Sequence, residues 1–256
     1  MKSVQSTITV FETVALHQPI GLSELSRRLG IPKSTVQRTL NTLRDAGWLR
    51  HDLAERGQWV VTAHFAALAE LAPVAVAVRD ASHDHLQRLR AECATPVGLF
   101  MLDGVTMAAV AGLRAPLSQR DVEVAFGPLP VHVSAGGRAI LSRLPVATRK
   151  EALGSRLQRH TPHSLTDVRA ILTEIERAEE LGYAVVRDEF RVGITSVAAA
   201  VLDRRSLPLA AVTLLCSTDS ADDDRVATLG AAAIRGALAV GESLRSRFDT
   251  DDRAKR

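Results

Sequence analysis

Between Gly21 and Leu49 the chain reads GLSELSRRLGIPKSTVQRTLNTLRDAGWL, and its apolar positions recur with the period of two short helices. Leu25 and Leu29 stand one turn apart, while Arg27 and Arg28 fall on the opposite side. Ser23 is the expected N-cap, since its hydroxyl can accept from an unpaired backbone N–H of the first turn. Gly30 supplies the left-handed residue that ends this helix, and Pro32 suits the first turn of the next, where a missing N–H costs little. In the second helix Val36, Leu40 and Leu43 follow the i, i+4, i+7 rule and face inward. Outside remain Lys33, Ser34, Thr35, Gln37, Arg38, Asn41 and Arg44, with no carboxylate before Asp45. A helix that is apolar on one side and carries cations, amides and hydroxyls on the other suits a DNA major groove. An ordinary helical hairpin with a solvated face would look the same. The next segment shifts the balance: Arg50 to Val61, RHDLAERGQWVV, predicts two strands around a polar loop at Gly57. Three helices followed by such a hairpin make a winged helix-turn-helix.

Before this motif, Met1 to His17 predicts a helix with Val4, Ile8 and Phe11 as its inward stripe. After it, Thr62 to Ala94 is helical in pattern and interrupted by Pro73, which suits a stiff connector that also offers dimer surface. A helix packed within one domain is the competing reading. His83 and His85, two apart, point away from each other on a helix and are expected to be solvated. From Thr95 the period becomes two. Val97 to Leu102 and Val105 to Val110, around Asp103-Gly104, predict a hairpin, and Asp121 to Phe126 a third strand. Helices follow at Ser134–Leu144, Val146–Leu157 and Leu165–Leu181, the last capped at Thr166. Strands return at Tyr183–Arg187, Thr195–Leu202 and Leu209–Cys216, before a long helix from Asp222 to Phe248. Strands, helices, then strands again predict an α+β architecture with an antiparallel sheet. The expected divisions are a head at 1–62, a linker helix at 63–94, a second domain at 95–248, and a charged, disordered tail at 249–256.

Charge sharpens the first part of this picture. Residues 1–60 hold eight of the 32 Lys and Arg but only five of the 29 Asp and Glu, so the formal excess of +3 lies entirely in the head. Attraction to phosphates would be local and sensitive to salt. Aromatics make up 4% of the chain, which offers few stacking platforms for single strands. Cys93 and Cys216 give no disulfide framework, no basic and apolar leader opens the chain, and no apolar run approaches a membrane span. These features predict a soluble, cytoplasmic protein with no membrane partner.

Candidate chemistry is sparse. No nucleophile elbow, His-Glu-x-x-His, phosphate loop or dinucleotide fingerprint occurs, so no catalytic residue is expected. Cys93 and Cys216 with one of His132, His160 or His163 could hold zinc, but without tight ligand spacing neither a metal nor a cofactor is expected. Ser134-Ala135-Gly136-Gly137 at a helix start leaves backbone N–H groups open to an anion, or simply permits close packing.

The segments VQSTITVFETVAL and GLSELSRRLGIPKSTVQRTLNTLRDAGWL, with the wing and linker, resemble the N-terminal domain of the IclR family of bacterial transcriptional regulators. VHVSAGGRAIL, LGYAVVRDEFRVGITSVAAAVLD and LPLAAVTL resemble that family's effector domain, in the same order. The resemblance implies a GAF/PAS-like sheet, a repressor acting as homodimer or homotetramer on a double-stranded operator, and a small-molecule effector. The outward polar side of the helix pair and the wing make Ser23, Lys33, Ser34, Thr35, Gln37, Arg38, Asn41 and Arg56 the expected DNA contacts. The resemblance places effector contacts at Ser134, Ala135, Gly136, Gly137, Asp188, Ser196, Thr213 and Leu215. Where relatives that bind small oxo-acids often carry cysteine, serine and an acidic residue, this chain has Ser196, Leu215 and Val186. The pocket is therefore expected to be partly apolar and to suit a carboxylate or aromatic metabolite. Two other classes stay open: an enzyme with a regulatory winged-helix head, and a winged-helix module that binds protein.

Overall fold

The structure, a computed structural model of the whole chain, describes residues 2–55, 57–113, 129–154 and 157–254. The expected strand at 121–126 and Arg56 of the wing lie outside these residues. The chain divides into two compact units, Met1–Pro73 and Val74–Arg256.

In the first unit α1 (Lys2–His17) packs with α2 (Leu22–Leu29) and α3 (Lys33–Asp45). β1 (Ile20–Gly21), β2 (Leu49–His51) and β3 (Gln58–Val61) form an antiparallel sheet in the order β1-β3-β2. The core is Val10, Val14, Ile20, Leu25, Val36, Leu40, Leu43, Leu49 and Trp59, so the inward residues expected of α3 are all there. α1 departs from expectation. Phe11 packs against the core as expected, but Val4 is 65% and Ile8 52% exposed, and the fully buried residues of the helix are Val10 and Val14. Ser23 does not cap α2: Gly21 occupies that position, and Ser23 lies exposed in the first turn. Gly30 ends α2 with φ +63, the left-handed conformation that a residue without Cβ adopts at least cost. α4 (Ala63–Ala69) belongs to this unit, and its Phe65 ring meets Phe11 and Trp48 at 5.1 and 6.0 Å.

α5 (Pro73–Cys93) belongs to the second unit, so the expected connector is divided near Pro73. Its Val78, Leu86 and Leu89 enter a core, which fits the competing reading of a helix packed within one domain, and His85 is not simply solvated but is 2.8 Å from Ser243 Oγ. β4 (Val97–Asp103), β5 (Thr106–Leu113), β6 (Leu129–Pro130), β7 (Ala184–Arg187), β8 (Ile194–Leu202) and β9 (Pro208–Ser217) form one sheet. Its order is β6-β5-β4-β9-β8-β7, antiparallel at every junction. Between strands lie α6 (Ala135–Ser142), α7 (Val146–Leu153) and α8 (Val168–Leu181), and the chain closes with α9 (Asp223–Ala254). α9 runs past Phe248 through the segment expected to be a disordered tail. α8 is capped by Asp167, whose carboxylate accepts from Ala170 N at 2.9 Å, and not by Thr166.

Strand alternation assigns the two faces of this sheet. Val97, Leu99, Val197, Ala199, Val201, Ala210, Val212 and Leu214 face a core shared with α5 and α9. The intervening Phe100, Ala198 and Ala211 join cores with α6 and α8. Small residues bring α6 close to the sheet: a Cβ on Gly136 would lie 3.2 Å from Thr213 Oγ1 and 3.4 Å from Ala211 Cβ.

Candidate functional site

The first candidate surface is the outward side of α3. Burial of Val36, Leu40 and Leu43 fixes the helix's rotation, which leaves Lys33, Ser34 and Arg38 exposed and Thr35, Gln37 and Asn41 half-buried. Gln37 Nε2 donates to Asn41 Oδ1 at 3.1 Å, one turn on, so these two amides already hold each other in the surface. Among the described residues Lys33 and Arg38 form no ion pair, while Arg44 is paired with Asp45 at 2.8 Å. On α2, Glu24 binds both Arg27 and Arg28, and their hydrogen bonds hold its carboxyl below the usual range. Ser26 Oγ donates to Ile31 O at 2.6 Å and braces the turn between the helices. α3 thus offers two unneutralised cations, Lys33 and Arg38, next to hydrogen-bonding side chains of the kind that read base edges.

The second candidate is a cavity of about 270 Å³ on the α6 face of the large sheet. The β8–β9 register sets Ser196 opposite Leu215 and Ala198 opposite Thr213. Period-two alternation then turns Ser196, Thr213 and Leu215 to the same face. All three line the cavity with Ser134 and Ala135, so five of the eight expected effector residues come together. Gly136, Gly137 and Asp188 do not line it. Gly137 answers a packing demand: a Cβ there would meet Val131 O at 2.3 Å. Its N–H, expected to be open to an anion, donates to Ser134 Oγ at 3.1 Å. Asp188 has φ +59, and its Oδ1 accepts from Gly193 N at 2.6 Å and Thr218 Oγ1 at 2.8 Å, closing the loop between β7 and β8.

Sequence reasoning missed Phe100, Val133, Phe190 and Arg191 in this wall, while Val186 stands in it as the expected apolar replacement. No local spacing marks Phe100 or Phe190, because tertiary contacts across the sheet bring them in. Thr213 is 5% exposed, and among the described residues its Oγ1 has no hydrogen-bond partner. Behind Phe190 lies His160, ring centroids 5.1 Å apart, with a buried Nε2 also lacking a partner. Burial, and secondarily the nearby His132, lowers the pKa of His160. Burial raises that of Cys216, which also borders the cavity. Among the described residues no three metal-ligating side chains converge, and no helix is long and apolar enough to cross a membrane.

A chain that joins a winged helix-turn-helix to a ligand-sized cavity in a separate unit has the build of a one-component transcriptional regulator. Two family models agree, the IclR helix-turn-helix domain over residues 3–53 and the bacterial transcriptional regulator IclR C-terminal domain over residues 71–241. The chain belongs to the IclR family of bacterial transcriptional regulators. It is 34% identical to an HTH-type transcriptional regulator of Mycobacterium tuberculosis, covering 77% of this chain and 75% of that one. It is 28% identical to the acetate operon repressor of Salmonella typhimurium, covering 86% and 81%. Its fold matches an IclR homologue from Microbacterium hydrocarbonoxydans, crystallised with 4-hydroxybenzoate, with a TM-score of 0.70, 21% identity and coverage of 95% and 99%. These sequence relatives are transcriptional regulators, not enzymes.

Proposed function

We propose that the chain is a ligand-controlled repressor that binds a pseudo-palindromic operator as a homodimer or homotetramer in the cytoplasm. Lys33, Ser34, Thr35, Gln37, Arg38 and Asn41 of α3 enter the major groove, and Ser23 of α2 meets the phosphate backbone. Two heads related by a two-fold axis read half-sites one or more helical turns apart. The effector occupies the 270 Å³ cavity and binds the DNA-competent and incompetent arrangements unequally, as any switching ligand must.

One observation carries the effector class: a mostly apolar wall, with Phe100, Val186, Phe190 and Leu215, surrounds the unpartnered Thr213 hydroxyl and Ser196. Such a wall suits a ring or short apolar body bearing one hydrogen-bonding end. The ligand of the Microbacterium homologue is of that kind. Calorimetric titration of the full chain with 4-hydroxybenzoate, benzoate, glyoxylate and pyruvate tests the reading. Tighter binding of the aromatic acids is expected, and micromolar binding of glyoxylate or pyruvate would overturn it.

A further inference from the structure

Two walls of the effector cavity come from distant parts of the chain. The start of α6 contributes Ser134 and Ala135, and the loop 188–193 contributes Phe190 and Arg191. One ion pair joins them behind the lining. Arg138 donates from Nη1 to Glu189 Oε1 and from Nη2 to Glu189 Oε2, each at 2.7 Å. The same guanidinium donates from Nε and Nη2 to the His132 carbonyl at 3.0 and 2.8 Å, gripping the turn that precedes Ser134. Glu189 Oε2 also accepts from Leu165 N at 3.0 Å. Ser164 Oγ donates to the Glu189 carbonyl at 2.6 Å, and Thr161 Oγ1 to the Asp188 carbonyl at 2.7 Å. Arg138 is 1% and Glu189 6% exposed, yet neither lines the effector cavity. Both border instead a second cleft of about 520 Å³, with Arg177, Tyr183 and Arg187.

A buried, forked pair of this kind fixes geometry more than it stabilises. Its two parallel hydrogen bonds specify orientation, while desolvation of both charges offsets much of their attraction. We propose that Arg138 and Glu189 are positioning residues of the effector site. They lock the Phe190–Arg191 wall against the first turn of α6, so effector affinity depends on a contact the ligand never touches. The proposal rests on the cavity being the effector site. Without the pair, Asp188 still closes the base of the loop through Gly193 and Thr218, and Thr161 and Ser164 still hold its backbone, but the loop loses its side-chain tie to Arg138 and the turn before α6.

The test compares the full-length wild type with the double variant Arg138→Met/Glu189→Met and with Arg138→Lys. Replacing the whole pair by apolar chains avoids leaving one buried charge alone, and Arg138→Lys keeps the charge but loses the fork. Thermal melting, amide hydrogen exchange of residues 189–193 and benzoate affinity are measured. We expect a folded variant with lowered melting, because the His132 carbonyl and Leu165 N lose their partners, together with exchange in the loop faster by about tenfold or more and benzoate binding weaker by a similar factor, with Arg138→Lys intermediate. Wild-type exchange in a folded variant, or exchange accelerated equally throughout residues 74–254, would overturn the proposal. Should the double variant not fold, Arg138→Lys decides by the same readouts. If benzoate fails to bind even the wild type, the proposed ligand class falls, while the exchange comparison still decides the positioning role.

Discussion

Thr213 shows how a single residue can be placed by sequence and still gain its meaning only from the fold. Its position in a strand was legible in the alternation of LPLAAVTL; the lack of any partner for its hydroxyl was not. A buried hydroxyl without a hydrogen bond lowers stability, and a ligand that accepts from it recovers that loss. Thr213→Val is therefore expected to leave the melting temperature unchanged or raise it. It should weaken effector binding by about 1 kcal/mol, roughly fivefold, the net worth of one neutral hydrogen bond. Calorimetry and melting on the same samples check both halves. His160 gives a second prediction. Its folded pKa lies below the ordinary 6.5, chiefly because it is buried. Below that ordinary value the unfolded chain binds the extra proton first, so stability falls as pH drops through this window and is unaffected above it. His160→Asn should flatten the loss of denaturation midpoint between about pH 7.5 and about pH 5.5. The Arg138–Glu189 pair was beyond sequence reasoning for a plain reason. Its members stand 51 positions apart, and no period links a helix to a loop that meets it only in three dimensions.

Among the elements, α3 was read correctly because one stripe of apolar residues dominates it. α1 was not, because two stripes compete. Val4 and Ile8 satisfy the helical period with Phe11 as well as Val10 and Val14 do, and only packing against α2, α3 and the small sheet buries the latter two with Phe11 and leaves Val4 and Ile8 exposed. Helix starts were misplaced by one or two residues at Ser23 and Thr166, since Gly21 and Asp167 compete for the same capping role. The sheet was largely legible from alternation, but β1 and β6, two residues each, carry no period to detect. The start of α6 yields an element-scale prediction. Of the two readings open for Gly137, anion cradle or close-packed helix entry, its close approach to Val131 O, which leaves no room for a Cβ, favours the second. Gly137→Ala should cost about 1–3 kcal/mol through overpacking, despite the higher helix propensity of alanine. Gly136→Ala, with 3.2 Å to the nearest atom, should cost less. Denaturant unfolding of the two variants ranks them.

For the whole molecule, the two units give physical form to the division of labour expected of the family: reading DNA in Met1–Pro73 and holding a ligand in Val74–Arg256. The net positive charge of the head was visible as a count, and the outward placement of Lys33 and Arg38 followed from the burial of three apolar side chains on α3. The central claim is that the outward side of α3 reads a duplex. Its most direct test is selection of random duplexes of roughly 30 base pairs by the full chain, followed by titration of the selected sequence across a range of salt. An inverted repeat is predicted to emerge and to bind more weakly as salt rises. Arg38→Ala should reduce its affinity by about 1–3 kcal/mol, roughly fivefold to 150-fold, while melting stays unchanged. Failure to enrich any sequence, or equal affinity of Arg38→Ala for the selected duplex, would contradict the account.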